Sequence, residues 1–132
     1  MSILNEIYEY KIDFVEKQKK LLTQSDIQGK IKHLPSLDFS FSKKLKNETS
    51  QTSIIGELKR ASPSLGNFVN NEINLSNIAK TYEKCGVSCL SILTDEKYFK
   101  GSLEDLTEIR KISTLPILRK DFIVDEYQIY ES

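Results

Sequence analysis

The chain has little cysteine, one histidine and no net charge: 2 Cys, 1 His, and 19 basic against 19 acidic residues in 132. Two cysteines are too few for a disulfide framework. Cys85 and Cys89 stand in C-x3-C spacing across an expected helix end and strand start. That is not a usual zinc pair and no Cys/His cluster accompanies it, so core packing is expected and no metal site. His33 is isolated before a turn and reads as a surface histidine. Balanced charge gives no field that would steer the chain to nucleic acid or to a membrane surface. No apolar run approaches the ~18 residues of a spanning helix. The start, MSILNEIYEYK, carries acidic residues and no unbroken apolar core, so it is not a secretory signal. Gly66 and Gly101 do not form a phosphate-cradling G-x-G-x-x-G. These absences lead us to expect a soluble chain of a reducing, cytoplasmic compartment.

What is present is a core. Leu, Ile, Val and Phe make up 40 of the 132 residues, well above the roughly one-fifth where disorder becomes the default. Ile3, Ile7, Tyr10 and Phe14 recur at helical spacing, and the pattern predicts a helix over 3–22 capped by Ser2. Ser25 is a candidate cap for a short helix over 26–33, which Pro35 ends. Residues 43–52, KKLKNETSQT, read as a polar connection. A boundary is expected there: residues 1–52 as an amino-terminal helical extension, residues 53–132 as a different organisation.

From Ser53 a rhythm appears. SIIGEL (53–58), VSCLSIL (87–93) and LPIL (115–118) are short runs of successive apolar residues. Helices are expected between them over 75–85, capped by Asn74 and stopped at Gly86, and over 103–112, capped by Ser102. A further helix begins near Asp125. The order β-α-β-α-β, with runs suited to burial on both faces, predicts an α/β fold with a parallel sheet. Doubly wound sheets and (β/α) barrels share this pattern.

In parallel α/β folds, ligands sit beyond the carboxyl ends of the strands. The three runs end on Glu57-Leu58-Lys59-Arg60, on Thr94-Asp95, and on Arg119-Lys120-Asp121-Phe122. Alternation puts Glu57 and Lys59 on one face, and Lys120 two residues beyond Leu118 on its strand. One pocket can therefore hold a carboxylate and two ammonium groups. Such lysines can donate a proton or bind anionic carboxylate and phosphate. Phe99 and Phe122 can supply apolar walls for an aromatic ligand. A single strand-end lysine usually just meets solvent. Three strands delivering charge to one edge argue for a site.

At these strand ends the sequence resembles the indole-3-glycerol-phosphate synthases of tryptophan biosynthesis. The stretches that carry the resemblance are IIGELKRASPSLG (54–66), IAKTYEKCGVSCLSILTDEKYFKGSLEDL (78–106) and LPILRKDFIVDEYQIYES (115–132). The first helix, ILNEIYEYKIDFVEKQK, is similar to the family's helical segment before the barrel. The resemblance implies a (β/α)8 barrel of which this chain carries the first three strands. It also implies closure of the indole ring of 1-(2-carboxyphenylamino)-1-deoxyribulose 5-phosphate, with loss of carbon dioxide and water and without cofactor. It casts Lys120 as the general acid at the ketone oxygen. Lys59 becomes a second lysine that binds anionic groups and assists dehydration, and Glu57 the carboxylate that orients both. Ser62 with Pro63 matches the segment that meets the substrate carboxylate, and Phe99 and Phe122 the pocket of the aromatic ring.

Such a barrel takes roughly 250 residues. The later strands, which in this family carry the base carboxylate and the phosphate site, are not here. Two expectations follow. In one, the chain is the amino-terminal part of a decarboxylating lyase and is inactive alone. In the other, it is a non-catalytic, self-associating half-barrel module. A barrel enzyme acting on another intermediate of the same pathway fits the Lys59, Lys120 and S-P-S combination poorly.

Overall fold

The computed structural model describes residues 2–34, 40–47, 52–67 and 74–132. They fall into two compact units, residues 1–37 with 122–132, and residues 38–121.

The first unit is helical. Helix α1 (Ile3–Leu21) is capped by Ser2, whose hydroxyl accepts from the Asn5 amide, and it ends on Lys19 and Lys20, the sign that suits a helix carboxyl end. Helix α2 (Gln24–Ile31) starts two residues before the expected position. Thr23, rather than Ser25, is its cap, because Asp26 completes a reciprocal capping box with Thr23. This unit also contains the chain's last helix, Glu126–Glu131, capped by Asp125 with Gln128 reaching back. Val15, Ile27 and Tyr127 form the buried centre, with Phe14, Leu22 and Val124 against it. The Tyr127 hydroxyl donates to the Leu22 carbonyl at 3.0 Å, and Lys19 pairs with Asp125 at 2.6 Å. Lys11 is buried on α1, its ammonium 5.1 Å from the centre of the Phe14 ring.

The second unit begins with helix α3 (Phe41–Asn47), which lies partly where a polar connection is expected from the sequence. Phe41 and Leu45, four residues apart and both half-buried, give that short helix an inward face. Of the rest of the expected connection, residues 48–51 lie outside the described residues.

A three-stranded parallel sheet follows, built from β1 (Ile55–Leu58), β4 (Cys89–Leu93) and β5 (Ile117–Lys120) in the order β1-β4-β5. Between β1 and β4 come a two-residue hairpin, β2 (Ala61–Ser62) with β3 (Gly66–Asn67), and helix α4 (Leu75–Lys84). Between β4 and β5 come the single-turn helix α5 (Glu96–Phe99) and helix α6 (Leu103–Ile112). The last helix, in the first unit, is α7. Cys89 pairs with Ile55 and Ile92 with Leu58 on one side of β4, and Leu90 pairs with Ile117 and Leu93 with Lys120 on the other.

The helices cover one sheet face. Leu58, Leu90 and Ile92 from the strands meet Leu75 and Ala79 of α4 and Ile109 of α6 in a dry core. Gly56 sits under α4, where an added Cβ would stand 2.5 Å from the Tyr82 ring. Gly86, at φ +83°, ends α4 in the left-handed region that favours glycine. Thus the expected parallel α/β sheet with preceding helices is what the chain forms.

Candidate active site

The pleat sorts the strand residues. Leu58, Leu90 and Ile92 face the helices. Their neighbours Ile55, Glu57 and Ser91, with Leu118 and Lys120, line the opposite face. Register makes rows across that face. Glu57, Ser91 and Leu118 are partners in one row, and Leu93 pairs with Lys120 two residues further toward the strands' carboxyl ends. An open concavity of about 470 Å³ lies over these rows, bounded also by Arg119 and Asp121.

Glu57 is its electrostatic centre. One carboxylate oxygen is 2.6 Å from the Lys59 ammonium and the other is 2.6 Å from the Lys120 ammonium. The chain thus bridges two strands that are not adjacent, β1 and β5, through one carboxylate. The hydrogen bond from Lys120, and then that from Lys59, hold the Glu57 carboxyl below its ordinary value against the opposing effect of burial. The cluster carries one negative and two positive charges. It is therefore cationic overall and open to an anionic ligand.

Lys120 is framed on both sides by a buried network. Arg119 Nε donates to the Thr94 hydroxyl at 3.2 Å, and that hydroxyl donates to Asp121 at 2.8 Å. Arg119 and Asp121 also pair at 3.3 Å, and the Thr94 amide donates to the Lys120 carbonyl at 3.0 Å. The carboxyl ends of β4 and β5 are pinned to each other where Lys120 leaves the sheet. On the β1 side, Arg60 forms a two-pronged pair with Asp105 at 2.6 and 2.7 Å, which ties the segment after Lys59 to the start of α6.

The structure brings together three of the residues expected at the site: Glu57, Lys59 and Lys120. Ser62 and Pro63 do not line that concavity. Ser62 ends β2, where its hydroxyl accepts from the Leu65 amide at 3.2 Å, and Pro63 is exposed in the turn. Phe99 is half-buried at the end of α5, a helix that packs against β2. Phe122 belongs to the first unit, where its carbonyl accepts from the Gln128 amide at 3.0 Å. His33 is exposed, as is Cys85, while Cys89 is buried in β4. Among the described residues no helix is long and apolar enough to cross a membrane.

Two features escape a reading of strand ends alone. Ser91, at the centre of the middle strand, lines the concavity between Glu57 and Leu118. Its place in VSCLSIL, two residues from Leu93, carried the signal, since alternation puts both on one face. The Arg119–Thr94–Asp121 network depends on the register of β4 against β5, which no local pattern encodes.

Comparison with known proteins gives the chain's family. The family model for indole-3-glycerol phosphate synthase matches residues 4–132. Proteins named indole-3-glycerol phosphate synthase from Caldanaerobacter subterraneus subsp. tengcongensis and from Thermoanaerobacter pseudethanolicus are 42% and 44% identical to it, each over 98% of the chain and 48% of their own length. One from Prochlorococcus marinus is 41% identical over 99% of the chain and 44% of its own length. The chain spans about half the length of the curated relatives it matches. With a family model matching almost end to end, the chain belongs to the indole-3-glycerol phosphate synthase family.

Proposed function

We propose that this chain supplies the first three strands of a (β/α)8 barrel, and two of its active lysines, for a cytoplasmic indole-3-glycerol phosphate synthase. The substrate is 1-(2-carboxyphenylamino)-1-deoxyribulose 5-phosphate. The ring carbon bearing the carboxylate attacks the ketone carbon, and Lys120 gives its proton to the ketone oxygen as that bond forms. Loss of carbon dioxide restores the ring electrons, and loss of the new hydroxyl as water completes the indole. An aromatic carbon is a weak nucleophile, so a proton placed at the ketone oxygen and a held ring are what the reaction needs. Lys59 binds anionic substrate groups and assists the dehydration. Glu57 orients both ammonium groups. Ser62 and Pro63 meet the substrate carboxylate, and Phe99 and Phe122 flank the ring. Residues 1–52 are the helical extension of this reading, and residues 53–132 its barrel portion.

The observation that carries the proposal is the shared carboxylate of Glu57, 2.6 Å from each of two ammonium groups delivered by separate strands. The chain alone is expected to turn over negligibly, because three strands do not close a barrel and the remaining substrate contacts of the family come from later ones. Joined to the carboxyl-terminal half of the Caldanaerobacter relative, it should gain ring-closing activity, and Lys120→Met should remove at least ~100-fold of kcat, as loss of a general acid does. Full activity in that variant would refute the assignment of Lys120.

A second reading, self-association of the chain as a module, draws on the open sheet face, where Ile55 and Leu118 are 45% and 44% exposed.

A further inference from the structure

We infer that Ser91 is a further ligand-contacting residue of this site, its Oγ accepting the N–H of a donor group, an arylamine, that sits ortho to a ligand carboxylate. The inference rests on the proposed function and adds a residue to it. Ser91 is 4% exposed. Its Oγ is buried and has no hydrogen-bond partner among the described residues. Buried hydroxyls are nearly always paired, so an orphan one at the floor of a concavity is aimed at what enters it. The side chain lines that concavity, while its neighbours Leu90 and Ile92 are in the core on the opposite face.

Position decides the ligand chemistry. Ser91 stands in register with Glu57. The Leu93–Lys120 row is two residues nearer the rim, roughly 6–7 Å along the strand. Both lysines reach the Glu57 carboxylate from backbone positions nearer the rim, so a carboxylate drawn to their ammonium groups enters from the rim side. A substituent ortho to it can point down toward the floor. That floor offers an acceptor carboxylate at Glu57 and a hydroxyl at Ser91. A donor fits between them; a second anion does not. The substrate of the proposed reaction has such an N–H next to its ring carboxylate.

The test is a two-ligand comparison on this chain, with binding followed by amide shifts in NMR titrations. 2-Aminobenzoate carries the ortho amine and benzoate lacks it. Ser91→Ala should weaken 2-aminobenzoate by about 3- to 10-fold, the range of one neutral hydrogen bond, and leave benzoate unchanged. Because the hydroxyl has no partner among the described residues, Ser91→Ala should melt no lower than the parent, and Ser91→Thr, which keeps a hydroxyl, should retain part of the preference. Equal binding of 2-aminobenzoate by parent and Ser91→Ala overturns the inference and leaves the proposed function standing. So does a matched loss for both ligands, or a lowered melting point, either of which makes Ser91 structural. If the parent binds neither ligand any better than its Lys120→Met variant, the site reading itself fails, and the inference with it.

Discussion

A carboxylate shared by two ammonium groups has a defined pH signature. Glu57 is held below the ordinary glutamate value of 4.5, first by the hydrogen bond from Lys120 and next by that from Lys59. A depressed folded-state value means that the ion pairs stabilise the folded chain fully above the unfolded carboxyl value. That contribution is lost as pH falls through the lower, folded value. The loss window for this cluster is therefore below about pH 4.5, far from neutrality. In Lys120→Met the Glu57 midpoint should rise toward 4.5, and in Lys59→Met it should rise less. Side-chain carboxyl carbon shifts measured by NMR through an acid titration read both. An unchanged midpoint in Lys120→Met would remove the pair from solution chemistry. Since the side chains of Lys120 and Glu57 are 53% and 28% exposed, added salt should narrow the difference. At this scale the sequence was legible where period-two alternation and a strand end coincide, as at Glu57, Lys59 and Lys120. It was silent where a partner is chosen by strand register, as with Thr94 for Asp121.

Elements long enough to repeat a pattern were readable, and very short ones were not. α4 and α6 each run ten residues, with Asn74 and Ser102 as caps, and their extents fall within a residue or so of the periodic reading. α5 has four residues, less than two turns, so it has no periodicity to read; Asp95 creates it by accepting from the Tyr98 amide at 2.7 Å. The hairpin of Ala61–Ser62 with Gly66–Asn67 lies inside a stretch that reads as a turn, and pairing only two residues on each side leaves no alternation to detect. The loop after α5 depends on close backbone contact. Lys100 ends α5 in the left-handed region at φ +55°, and Gly101 donates its amide to the Asp95 carbonyl at 2.9 Å. A Cβ on Gly101 would lie 2.0 Å from the Leu93 carbonyl oxygen, which is backbone and cannot swing away. Gly101→Ala should therefore destabilise the second unit by about 1–3 kcal/mol, as overpacking does, and shift the end of β4 that carries Thr94. Urea denaturation with an unchanged slope would measure it, and a parent-like midpoint would show that the loop yields freely.

For the whole chain, length and sheet topology bear on the same question. β4 is paired on both sides, while β1 and β5 each pair with β4 alone among the described residues. Each of those outer strands presents a line of backbone donors and acceptors that invites further pairing. On the face away from α4 and α6, Ile55 and Leu118 are nearly half exposed, although Leu58 and Ile117 of the same strands lie in or against the core. The relatives are about twice as long. In this chain the same apolar face and strand edges are open to a second copy. Light scattering at high concentration should give a mass above 15.2 kDa. The double variant Ile55→Glu with Leu118→Lys should bring it down toward that value with helical and strand content preserved in circular dichroism. Both positions lie opposite the dry core of Leu58, Leu90 and Ile92, so these charges enter water rather than the core and folding should survive them. A parent chain that stays at 15.2 kDa across the concentration range would mean that its edges are covered within one copy, and would remove self-association as a reading of this sheet.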